Sequence, residues 1–79
     1  MKFANDVLKT LRNEKNLKQE QLGDKIGYSR SIISFWELGK KQPAAEAIIA
    51  LSMFFNVSAD YLLGLELEDG TKLWANGIK

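Results

Sequence analysis

The feature that most limits how this chain can fold is the spacing of three residues in "GYSRSIISFWELG", Gly27 to Gly39. Gly27 suits the turn after a helix, Ser29 is a good N-cap for the next helix, and Gly39 stands where a left-handed C-terminal residue belongs. Upstream, the segment from about Gln19 to Ile26 presents Leu22 and Ile26 four apart, with Gly23 between them small enough for close helix contact. Two short helices therefore follow one another across a turn of three or four residues.

The remaining segments read as helices by the same signals. Asn5 is expected to cap a first helix that runs to about Lys15, with Leu8, Leu11 and Arg12 on one face. After Pro43, "AAEAIIALSMFF" is rich in helix formers and holds Ile48, Leu51 and Phe55 on one side, which predicts the longest helix of the domain. "VSADYLLG" predicts a short fifth helix, with Ser58 as N-cap, Leu62 and Leu63 as apolar contacts and Gly64 as the stop. The pattern changes in "LELEDGTKLW", where Asp69-Gly70 signals a two-residue hairpin that sets Leu65 opposite Trp74 and Leu67 opposite Lys72. A lone ribbon is marginal, so this one should pack on helices or on another subunit. The expected fold is all-α, five helices over residues 1–64, followed by a short C-terminal β-hairpin or extended tail at residues 65–79.

Composition narrows the function. Seventy-nine residues, 46% hydrophobic and 27% charged, allow one ordinary core and no second domain. Cysteine and histidine are both absent, which removes disulfides, thiolate or imidazole metal sites and the side chain best suited to acid–base work near neutral pH. No catalytic residue, metal or cofactor is expected. No apolar run approaches the roughly 18 residues that cross a bilayer, and "MKFANDVLK" lacks the apolar core of a signal peptide, so a cytoplasmic chain without a membrane partner is expected. Residues 1–43 carry nine Lys or Arg against five acids, whereas residues 44–79 carry two against five. A basic first half suits a polyanionic partner, with the acidic half facing away.

Glu37 lies four residues after Ile33 and so on the buried side of the third helix, where an unpaired carboxylate is costly. It needs a cation. Arg12, on the core face of the first helix, is the natural partner.

Taken together, Leu11-Arg12, Gln19, Leu22, Gly27, Ser29, Ile33, Trp36-Glu37, "GKKQP" and "DYLLG" resemble the helix-turn-helix family of phage repressors, Cro proteins and their bacterial relatives, over Leu11 to Gly64. The resemblance implies a repressor-like bundle with the same arginine–glutamate pair, and a third helix that enters the major groove of double-stranded DNA. Ile33 and Trp36 face inward, so Arg30, Ser31, Ser34, Phe35 and Leu38 form the outward stripe. Arg30 is the best base reader, since a guanidinium can bond guanine O6 and N7 together. Ser31 and Ser34 can bond a base or a phosphate, Phe35 can touch a thymine methyl, and Leu38 belongs at the rim or folded back on helix four. Gln19 at the start of helix two is implied as a phosphate contact, Ser29 is expected to make another, and Lys40 and Lys41 should flank the groove and anchor phosphates. Lys18 departs from the family pattern, which favours Thr or Ser as N-cap, and the lost oxygen costs about 1 kcal/mol. Its charge can compensate by reaching phosphate.

These readings make the chain a sequence-specific transcriptional regulator, most simply a repressor that occupies an operator, with no small-molecule ligand. A homodimer is expected because one small module makes few contacts, and two-fold pairing sets two reading helices about 34 Å apart. Leu65, Leu67 and Trp74 are candidate dimer contacts; equally, the hairpin can cover its own core. The rival reading is a protein-interaction module of the antitoxin type, favoured by Phe35, Leu38, Ile49 and Met53 and opposed by the cluster of Lys18, Arg30, Lys40 and Lys41.

Overall fold

A computed structural model describes residues 3–64. It contains five helices in the order α1 (Asn5–Glu14), α2 (Gln19–Ile26), α3 (Arg30–Leu38), α4 (Ala45–Phe55) and α5 (Ala59–Leu62). The hairpin expected at residues 65–79 and its Leu65, Leu67 and Trp74 lie outside the described residues.

Each helix sends one wholly buried side chain to a common centre: Leu8, Leu22, Ile33, Leu51 and Leu62. Burying a side chain of this size is worth about 1.5–3 kcal/mol relative to leaving it in water, so these five residues draw all the helices together. Trp36, Ile48 and Phe55 complete the core, and Tyr28 meets Trp36 edge to face at 5.0 Å between ring centroids. The bundle is closed at its start by Phe3 and Ala4. Phe3 is buried and its N–H donates to Gln42 Oε1 at 2.8 Å, while the Ala4 N–H donates to the Leu62 carbonyl at 2.6 Å.

The helix ends follow one device. After α1, α2, α3 and α4 a residue with positive φ appears, namely Asn16, Gly27, Gly39 and Asn56. In each case the N–H one residue further on reaches back to a carbonyl of the last turn: Leu17 to Arg12, Tyr28 to Gly23, Lys40 to Phe35 and Val57 to Ser52, at 2.9–3.2 Å. These closures satisfy carbonyls that the helix itself leaves open. They also aim the chain sharply into the next element.

Two local expectations need correction. Asn5 does not cap α1, because the N-cap position is Ala4; the Asn5 amide instead donates to the Glu37 carbonyl at 3.1 Å, tying α1 to the end of α3. Gly23 is small for a different reason than helix-on-helix contact. A Cβ there would collide with the Tyr28 carbonyl oxygen, so the α2–α3 turn folds down directly onto the α2 backbone. A third difference concerns Lys18, which does stand at the α2 N-cap without a side-chain acceptor. The Gln21 side chain supplies the reciprocal bond, accepting from the Lys18 N–H at 2.8 Å.

Candidate nucleic-acid interface

The candidate interface is built around α3, and its rigidity begins on the inner side. Glu37 is nearly buried, with its side chain 4% exposed, and its two carboxylate oxygens take three bonds. Arg12 of α1 donates from Nε to Oε2 at 2.6 Å and from Nη2 to Oε1 at 3.0 Å. Gln19 of α2 donates from Nε2 to Oε1 at 3.1 Å. The third Arg12 nitrogen, Nη1, donates to the Leu17 carbonyl at 2.7 Å in the α1–α2 connection. One carboxylate therefore clamps three helices, and the two-pronged arginine fork sets both distance and angle.

Helix phase then decides what α3 shows outward. Ser29 caps it, its Oγ accepting from the Ile32 N–H at 3.3 Å, and the left-handed Gly39 ends it. Ile33, Trp36 and Glu37 are buried. Arg30 and Ser31, in the first turn, are exposed; Ser34 and Phe35, one turn on, are half-buried. Leu38 is 63% exposed, so it does not fold back on α4. Lys40 and Lys41 follow in the next loop, both exposed, and the Lys41 ammonium lies 5.7 Å from the centroid of the Phe35 ring.

The start of α2 contributes the second edge. Lys18 is exposed at the N-cap, and the N–H groups of the first turn have no acceptor within their own helix. Gln19 is half-buried and commits one amide proton to Glu37. This tie was not legible from the residue's place at a helix start, since the same glutamine can face outward or inward with equal local cost. Lys41 above Phe35 and Gln42 against Phe3 were likewise missed; each joins residues whose local sequence signals say nothing of one another.

Arrangement and sequence converge on one family. The helix-turn-helix family model matches residues 8–62, from the α1 core leucine to the α5 core leucine. The chain belongs to the helix-turn-helix family. Among curated relatives, the HTH-type transcriptional activator BcrR of Enterococcus faecalis is 47% identical over 62 residues, covering 78% of this chain and 30% of BcrR. Among solved structures, the c2 repressor of Salmonella phage P22, in complex with a synthetic operator, superposes with a TM-score of 0.74 at 32% identity, covering 80% of this chain and 96% of that one. The restriction-modification controller protein C.AhdI of Aeromonas hydrophila superposes with a TM-score of 0.67 at 28% identity, covering 73% of this chain and 88% of that one. This chain spans less than two thirds of the length of the curated relatives it matches first. These first curated relatives are named as HTH-type transcriptional activators or regulators. Among the described residues no helix is long and apolar enough to cross a membrane.

Proposed function

We propose that this chain is the operator-reading unit of a transcriptional regulator, binding double-stranded DNA in the cytoplasm with α3 in the major groove. The observation that carries the reading is the division of α3 into two faces: a buried one clamped through Glu37 to α1 and α2, and an outward one headed by exposed Arg30 and Ser31. Likeness to a repressor solved with operator DNA supports the same orientation. In this reading Arg30, Ser31, Ser34 and Phe35 meet base edges. Lys18, Gln19, Ser29, Lys40 and Lys41 meet phosphates along the two edges of the groove. Gln19 keeps a second amide proton and its own N–H for that contact, because only one proton is given to Glu37.

Repression is the simplest output of such a unit, since occupying an operator excludes other proteins from it. Homodimerisation supplies the second half-site, with Leu65, Leu67 and Trp74 as contacts and residues 65–79 acting as a separate element from the 1–64 domain. A second reading has one specific observation in its favour. Leu38, Ile49 and Met53 are 63%, 56% and 77% exposed, which suits a protein-docking module. Selecting duplexes from random-sequence DNA at two salt concentrations separates the two. A DNA reader enriches one sequence and loses affinity steeply with salt through counterion release. A chain that enriches no sequence supports the docking module.

A further inference from the structure

Within the outward stripe of α3, Phe35 and Leu38 are the side chains that cannot hydrogen-bond to a base, and of the two Phe35 lies nearer the helix start that carries Arg30 and Ser31. Its neighbours nevertheless hold it firmly in place. The Phe35 carbonyl accepts the Lys40 N–H at 2.9 Å and the Lys41 N–H at 3.4 Å, so the loop after α3 is fastened back onto this residue. The Lys41 ammonium, 5.7 Å from the ring centroid, lies within the roughly 6 Å at which a cation is attracted to an aromatic face. The ring is half-buried, and what it presents to a partner is hydrocarbon. In the major groove one group of the base edges answers that chemistry: the C5-methyl of a pyrimidine.

We propose that Phe35 and Lys41 form a single recognition unit for a 5-methylpyrimidine, the ring meeting the C5-methyl while the ammonium held above it meets a nearby phosphate. This rests on the reading of α3 as the major-groove helix. The unit couples one base contact to one backbone contact, because the same lysine is tied to the ring by its side chain and to the helix by its N–H. It follows that the chain distinguishes thymine from uracil, and 5-methylcytosine from cytosine, at one position of its site.

The test starts from the duplex that the unaltered chain selects from random-sequence DNA. Each thymine is replaced in turn by deoxyuridine, which removes only the methyl. At one thymine of the half-site binding should weaken about fourfold, the ratio that corresponds to one buried carbon. Phe35→Gln should show no difference between the two bases there, and 5-methylcytosine at that position should bind the unaltered chain about fourfold better than cytosine. Lys41→Met should lower the slope of log affinity against log salt by about 1. Indifference of the unaltered chain to every methyl, or an equal methyl effect in a folded Phe35→Gln, overturns the inference. The uracil scan uses the unaltered protein and stays decisive even where the variant does not fold. A chain that selects no sequence at all ends the major-groove reading and this inference together, whereas selection without methyl sensitivity ends this inference alone.

Discussion

Arg12 and Glu37 meet as a fork on a carboxylate, with Nε–Oε2 at 2.6 Å and Nη2–Oε1 at 3.0 Å, and Gln19 shares the second oxygen. The pair is almost shut off from water, at 11% and 4% side-chain exposure. Breaking such a pair leaves one uncompensated charge inside. Glu37→Ala should therefore cost about 3–5 kcal/mol, a large part of the stability of a small domain. Replacing both partners by leucine should cost far less than the sum of the single losses, because no charge is then stranded. Urea unfolding of Arg12→Leu, Glu37→Leu and the double variant measures this, and additive losses would refute the clamp.

The close approach of Tyr28 to Gly23 makes a contrast between two glycines. Gly27 has positive φ but open space around its missing Cβ, so Gly27→Ala should cost only the backbone strain, about 1–2 kcal/mol. Gly23→Ala has to push away the Tyr28 carbonyl, a backbone atom, and should reach about 3 kcal/mol. Because that push tilts α3 against α2, it should also weaken DNA binding in protein that is still folded. Thermal melts paired with binding isotherms check the order; a milder Gly23→Ala contradicts the turn geometry.

Lys18 sets stability against affinity. It holds the N-cap position of α2 without an acceptor, so Lys18→Ser should raise stability by about 1 kcal/mol by bonding the Gln21 N–H. The same change removes a cation from the proposed phosphate edge. The variant should bind DNA more weakly and with a salt slope lower by about 1, as a titration at several salt concentrations would reveal.

Arg30 and Lys40 should differ in kind. Arg30→Ala is expected to cost about 1–3 kcal/mol at one base position and to relax preference there, whereas Lys40→Ala should weaken all sequences alike. Competition between the selected duplex and its single-base variants tells them apart. Uniform loss in Arg30→Ala would show that this arginine only anchors.

Residues 65–79 carry the dimer expectation. Sedimentation equilibrium of the chain before and after their deletion, and of Trp74→Ala, should show a dimer giving way to a monomer. An unchanged mass in the deleted chain removes Leu65, Leu67 and Trp74 from the interface.

Much of the fold was legible from local signals. Ser29 and Ser58 cap helices as expected, with bonds from Ile32 and Tyr61, and Gly27, Gly39 and Gly64 take the left-handed conformation that ends them. Those bonds span three residues, so adjacent residue types suffice to specify them. Asn16 and Asn56 end helices in the same conformation but went unread, because asparagine takes that role less often than glycine. The outward stripe of α3 was readable too, since burying Ile33 and Trp36 on a helix dictates what faces away.

By itself the sequence determined the five helices, the ends marked by Ser29, Ser58 and the glycines, and a carboxylate at position 37 that had to find a cation. Only the tertiary structure decided how the polar side chains were spent. Asn5 left its capping place for the Glu37 carbonyl, Gln19 turned one proton inward to the carboxylate, and Lys41 came to rest over Phe35. Those choices depend on which acceptor or ring another helix or loop brings within about 3 Å for a hydrogen bond or about 6 Å for a cation over a ring. Sequence periodicity sets the direction of a side chain along its own helix. The core, to which every helix gives at least one buried residue, sets what that side chain meets.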